Sequence, residues 1–174
     1  MSALHSGAAN PGLKTGRRLK QPPLGPMLRN AWVGYQRRLD AEMAVAGFGD
    51  RGFPDGRVLR LCRDAAETTI SDIGRELGIT RQGAGKIVVG LRDRGYVSIN
   101  RSSTSARDKT VTLTPKAHEY LAAQRAAVRK IDNQLRRSLR PEGFRDLYRL
   151  LDLLGDRDQV RLPDYLRQQR VRDL

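Results

Sequence analysis

The sequence predicts a mainly α-helical protein with one small β-hairpin, arranged as a winged helix-turn-helix plus a helical dimerisation region. Two patterns lead to this fold class. Two apolar-periodic helical segments, at 71–77 and 80–95, are joined by the short turn "GIT" (78–80), which is typical of a helix-turn-helix. Two β-rich runs follow, "YVSIN" and "KTVTLT", and the polar loop "RSSTSARD" between them indicates a hairpin, or wing.

The other elements follow from apolar spacing and capping residues. A first helix begins near Pro26, and further helices are predicted over 55–66, from Pro115 onward, and over 141–155. In the helix-turn-helix, Ser71 is expected to cap the first helix and Thr80 the second, with Gly78 as the stop between them. Residues with apolar side chains on the facing surfaces predict its core: Ile70, Ile73, Leu77, Ile79, Ala84, Ile87, Val88 and Leu91.

Composition shifts along the chain predict its domain organisation. Residues 1–24 are Gly/Pro/Ser-rich and basic without periodicity, so we expect a disordered arm. Residues 55–114 form the winged helix-turn-helix. Residues 25–54 and 115–174 form the helical dimerisation region, in which Leu121, Val128 and Leu135 repeat every seven positions.

Charge is the strongest indicator of function. The 174 residues carry a formal net charge of +14, and residues 80–116 hold eight basic side chains against Asp93 and Asp108. A localised basic excess predicts nucleic acid or another anionic partner.

Other classes have little support in the composition. No apolar run reaches the ~18–20 residues of a membrane span, and no secretory signal is evident, so we expect a cytoplasmic protein with no membrane association. One cysteine and two histidines exclude a disulfide framework and disfavour a metal site. Without a phosphate-binding glycine loop or a catalytic cluster, we expect neither an enzyme nor a cofactor.

Three glycines inside the second helix, Gly83, Gly85 and Gly90, require an explanation, since each costs roughly 1 kcal/mol relative to alanine. On a helical projection they border the outward face, which carries Gln82 and Lys86. They either let the backbone approach DNA or the preceding helix closely, or are tolerated without a role.

The stretch "TISDIGRELGITRQGAGKIVVGLRDRGYVSI…ARDKTVTLTPKA" resembles the winged-helix core of MarR-type transcriptional regulators, and the similarity extends over about residues 28–155. The resemblance implies a prokaryotic, nucleoid-associated homodimer that binds double-stranded DNA. The helix from Thr80 would enter the major groove, and Arg107 in the wing would enter the minor groove. The sequence departs from the family at Ser105, where an aspartate often stands two residues before the arginine.

Side-chain chemistry and the resemblance together predict the DNA-binding residues. Arginine, lysine and glutamine suit base edges and phosphates, and hydroxyls at helix N-termini suit phosphates, although capping alone explains the hydroxyls equally well. The predicted set is Ser71, Thr80, Arg81, Gln82, Gly85, Lys86, Arg92, Arg101, Ser103, Arg107 and Lys109.

The resemblance also implies a small aromatic or lipophilic effector, with Trp32 and Tyr35 near its pocket, although core packing explains these two residues as well. Cys62, among apolar neighbours in the second helix, is expected to be buried and unreactive. The predicted function is a dimeric, sequence-specific regulator, a ligand-responsive repressor of a pseudo-palindromic operator. The alternative is a non-specific architectural or nucleoid DNA-binding protein.

Overall fold

The computed structural model describes residues 22–65, 67–101 and 109–155. It divides into two compact units, Met1–Gly34 and Tyr35–Leu174. The described elements, in chain order, are α1 (Leu24–Val45), α2 (Asp55–Asp64), α3 (Ile70–Leu77), α4 (Arg81–Asp93), β1 (Val97–Arg101), β2 (Lys109–Leu113), α5 (Pro115–Ser138) and α6 (Pro141–Leu154).

These helices and the antiparallel hairpin confirm the predicted fold class. Of the arm predicted over residues 1–24, residues 1–21 lie outside the described residues, as does the tail at 160–174, and Leu24 already belongs to α1. None of the described helices has both the length and the hydropathy that crossing a membrane requires.

The start of α3 differs from the prediction that Ser71 caps it. Thr69 is the N-cap: its side chain accepts from the backbone N–H of Asp72, and the Asp72 carboxylate accepts from the backbone N–H of Thr69. This reciprocal capping box satisfies two backbone donors at once. Ser71 therefore lies inside the first turn and is half-buried there.

The turn between α3 and α4 depends on two glycines. Gly78 has a φ of 68°, and this left-handed conformation ends α3 as predicted. Gly74 brings the two helices together, because a β-carbon at this position would lie 3.2 Å from the carbonyl oxygen of Ile79. Thr80 then caps α4 as predicted, accepting from the N–H of Gly83 at 3.1 Å.

The hairpin pairs β1 with β2 in an antiparallel register that places Val97 opposite Leu113 and Arg101 opposite Lys109. A bridge between Thr69 and Thr110 joins β2 to the residue that caps α3. The hairpin is thus attached to the start of α3 as well as to the end of α4.

The core lies between the C-terminal part of α1, α2, α3, α4, α5 and the hairpin, and the predicted core positions are confirmed. Of the eight, Ile79 and Ile87 are partly buried against the core and the other six are buried. A second part of the core is aromatic. Tyr120 meets Phe48 and Tyr96 edge-on, with ring centroids 5.5 and 5.4 Å apart, an arrangement favoured by the ring quadrupoles.

A buried ion pair joins the start of α2 to the end of α4. The Asp55 side chain is 2% exposed and accepts two hydrogen bonds from Arg94, at 2.6 and 3.1 Å. Arg94 also donates to the carbonyl oxygens of Gly90 and Asp50, and its own carbonyl accepts from Lys116. One guanidinium therefore links the end of α4 to α2 and to the loop before it.

We expect Arg94→Met to lower the free energy of unfolding by about 3 kcal/mol, because it leaves the Asp55 carboxylate buried without a cation. Urea denaturation measures this change. Arg92→Met is the matched control: its pair with Asp93 is exposed, so its loss costs less than about 1 kcal/mol. Equal losses in the two variants would contradict the structural role of Arg94.

Candidate nucleic-acid interface

The outward face of α4 is the candidate interface. Ala84, Val88 and Leu91 are fully buried on the opposite side of the helix, and this burial fixes the rotation of α4 about its own axis. The side chains left exposed are those of Arg81, Gln82, Lys86, Val89, Arg92 and Asp93. Helical periodicity places Gln82, Lys86, Val89 and Asp93 on one stripe, with Arg81 and Arg92 at its flank.

The predicted DNA-contacting residues of α4 lie in different parts of the helix. Arg81 and Gln82 occupy the first turn, where the unpaired N–H groups and the positive end of the helix dipole favour an anion. Lys86 lies one turn further along the same face. Arg92 lies at the other end of the helix, and its guanidinium donates to the adjacent Asp93 at 2.8 and 3.0 Å. Its charge is therefore partly compensated within the protein.

The two hydroxyl residues predicted to contact DNA, Thr80 and Ser71, have different roles in the structure. Thr80 is exposed and uses its oxygen as a cap acceptor, which leaves its O–H proton for a donor role toward a phosphate. Ser71 does not cap α3, because the structure assigns that role to Thr69. The sequence carried a signal for this arrangement, since Thr69 and Asp72 have the spacing of a capping box.

The glycines of α4 are not explained by packing within the described residues. A β-carbon at Gly85 or Gly90 would meet no atom within 4 Å, and one at Gly83 would make only ordinary contacts, the nearest at 3.4 Å. Close approach to α3 therefore requires Gly74 and none of the three glycines of α4. The remaining interpretations are close approach to DNA, or tolerance without a role.

At the base of the wing, Arg101 and Lys109 face each other across the hairpin, and both are exposed. Like charges directly opposite each other are unfavourable in a two-stranded sheet, and an anion between them reduces the repulsion. Ser103 and Arg107, predicted for the wing tip, lie outside the described residues.

Trp32 and Tyr35 belong to different units, so their proposed role in one ligand pocket is not tested by the structure. Trp32 is 43% exposed, and Tyr35 is half-buried against the core. Burial, followed by the charge of Asp132, raises the pKa of Tyr35. This tyrosine is therefore a neutral phenol at physiological pH.

Cys62 is half-buried, not fully buried as predicted, and burial raises the pKa of its thiol to about 11. The thiol is therefore protonated and weakly nucleophilic at neutral pH. It lines an open cleft of about 420 Å³ next to the hairpin, a feature that the sequence did not indicate. Within residues 22–65, 67–101 and 109–155, the His, Cys, Asp and Glu side chains form no group suited to a metal ion.

Known structures share this architecture. Reduced MarR from E. coli matches with a TM-score of 0.64 at 19% identity, covering 79% of this chain and 99% of that one. Rv2887 from Mycobacterium tuberculosis matches in its complex with DNA, with a TM-score of 0.57 at 21% identity and coverage of 78% and 100%. Its complex with salicylic acid matches with a TM-score of 0.54 at 24% identity, covering 78% of this chain and 98% of that one. At these identities the likeness establishes the fold.

No curated protein sequence matches the chain. The model of the MarR family does match, over residues 51–108, which span α2, the helix-turn-helix and the first strand of the hairpin. Over these residues the chain is similar to the MarR family. The fold is the one seen in MarR and Rv2887, and α4 is the second helix of the helix-turn-helix within it.

The open space around two glycines of α4 allows a direct test of their role. Gly85→Ala and Gly90→Ala should each raise the free energy of unfolding by about 0.5–1 kcal/mol, because alanine restricts the unfolded chain and its β-carbon meets nothing. Gly74→Ala is the opposing control, since it should destabilise the protein. Thermal and urea unfolding measure all three variants, and destabilisation by Gly85→Ala or Gly90→Ala would contradict the open-space geometry.

Proposed function

We propose that this chain is a dimeric, sequence-specific DNA-binding transcription regulator, a repressor that occupies a pseudo-palindromic operator. One observation carries the proposal: α4 presents Arg81, Gln82 and Lys86 on an exposed face, while its opposite face is locked into the core. Glutamine pairs bidentately with adenine, and arginine or lysine with guanine, so this face suits base edges as well as phosphates. The Rv2887 complex with DNA supports the proposal by analogy of fold.

The dimer in this proposal is formed through α6. Phe144 is the buried residue of this helix, whereas its other large apolar side chains are partly or fully exposed. At least 40% of the side-chain surface is exposed in each of Tyr148, Leu150, Leu151, Leu153 and Leu154. A contiguous apolar surface of this kind marks a protein–protein interface. A second copy of the chain is the partner that the family resemblance favours.

Two-fold symmetry has a consequence for the operator. Two copies of α4 related by a two-fold axis contact two inverted half-sites, about one helical turn of DNA apart. An effector that changes the separation of the two recognition helices then lowers affinity without touching DNA. The Rv2887 complex with salicylic acid supports a small aromatic effector.

A non-specific architectural role is the second candidate, and the net charge of +14 favours it. A protein that reads only the backbone binds all sequences alike and loses affinity steeply with salt. The exposed Gln82 argues for base readout, because an uncharged amide adds little to phosphate attraction.

Selection from a randomised pool of duplex DNA at physiological salt distinguishes these two roles. We expect enrichment of an inverted repeat with half-site centres about 10 base pairs apart. Lys86→Ala should weaken binding to the enriched duplex at least ~10-fold, since it removes charged contacts from both half-sites. Lys130→Ala removes the same charge from α5, where Lys130 pairs with Glu42, and should change affinity little. Retention of DNA without any enriched motif would favour the architectural role.

The α6 interface has its own test. Leu150→Glu combined with Leu151→Glu should convert the dimer to monomers, because it places two carboxylates in the proposed apolar contact. Arg149→Glu is a control on the same helix: Arg149 is exposed and points roughly 100° or more away from both residues. Sedimentation equilibrium measures the association state. A dimer that persists in the double variant would place the interface elsewhere.

A further inference from the structure

Val89 is the unexplained residue of the α4 face. It is 39% exposed, although the other exposed side chains of α4 are all polar or charged. It shares one helical stripe with Gln82 and Lys86, and no apolar neighbour on this stripe accompanies it. A single exposed valine is ordinary on a protein surface. Here its position within the proposed DNA-reading face makes it informative.

The local geometry leaves the methyl groups of Val89 accessible. Side chains on an α-helix lean toward the N-terminus, so Val89 projects over the turn that contains Gly85 and Lys86. Gly85 has no side chain, and a β-carbon built there would meet nothing within 4 Å. The surface beside Val89 is therefore open on the side that faces Gln82, and the edge of a DNA base can approach the valine closely.

The spacing along the helix sets where Val89 would reach. Its α-carbon lies about 4.5 Å along the axis from that of Lys86 and about 10 Å from that of Gln82. These distances correspond to roughly one and three base-pair steps of 3.4 Å. In the major groove, the apolar group that base edges offer at such positions is the 5-methyl of thymine.

We propose that Val89 is a specificity-determining residue that contacts a thymine 5-methyl group in each half-site, next to the base contacted by Lys86. This inference rests on the proposed function, in which α4 lies in the major groove. The charges around Val89 favour DNA as its occupant: Lys86 and Arg92 lie three residues to either side of it, and the nearby Asp93 is paired with Arg92. Their net positive charge attracts phosphates, whereas a protein partner would have to bury it.

Uracil substitution tests the contact directly, since uracil pairs as thymine does and lacks only the 5-methyl group. Each thymine of the enriched duplex is replaced in turn, and binding is measured by fluorescence anisotropy. We expect one position per half-site at which uracil weakens binding of the unmodified protein about fourfold, the equivalent of one buried methyl group. At the other positions, affinity should stay unchanged.

The DNA substitution is combined with a protein substitution, Val89→Ala, which removes two methyl groups from an exposed position of a helix. In this variant, uracil at the sensitive position should no longer weaken binding. Val45→Ala is the matched control, at a valine that is 86% exposed outside α4, and it should keep the fourfold penalty.

The outcomes separate the inference from the function on which it rests. An enriched motif with no uracil-sensitive thymine, or a penalty that persists in Val89→Ala, would overturn the role of Val89 and leave the regulator intact. A pool without any enriched motif would overturn the sequence-specific function, and the role of Val89 with it.

Discussion

Asp55 and Arg94 form the contact on which the placement of α4 depends. The carboxylate is nearly inaccessible at the start of α2, and the guanidinium that neutralises it also caps the C-terminal turn of α4 through the carbonyl oxygen of Gly90. Burying two charges costs several kcal/mol in desolvation, which the pair recovers only in good geometry. The contact thus specifies one orientation of α4 more than it stabilises the fold.

The same position connects α4 to the elements that follow it. The carbonyl oxygen of Arg94 accepts from Lys116 in α5, and Tyr96 donates its hydroxyl to Asp50 in the loop before α2. Lys116 also lies 4.4 Å from the centre of the Tyr96 ring. Burial and then the bond to Asp50 raise the pKa of Tyr96, so it remains a proton donor at neutral pH. A displacement of α5 would therefore be transmitted to the end of α4.

The composition of α4 is consistent with a helix shaped by its surroundings. Three glycines lower its intrinsic propensity, and isolated helices of its length are marginal in water. Its cap at Thr80 and the full burial of Ala84, Val88 and Leu91 compensate for this weakness. The outward face is consequently left exposed, and its backbone carries no side chain at Gly85 and Gly90.

The sequence by itself determined the elements, the core positions and the polar face of α4, because helical periodicity and the stop at Gly78 are local signals. Only the tertiary structure decided three other features. Gly74, not a glycine of α4, sustains the close helix approach; Arg94 meets Asp55 across 39 residues; and α6 leaves four of its five leucines exposed. Each depends on which surfaces meet in three dimensions, and neither spacing nor propensity along the chain encodes that pairing.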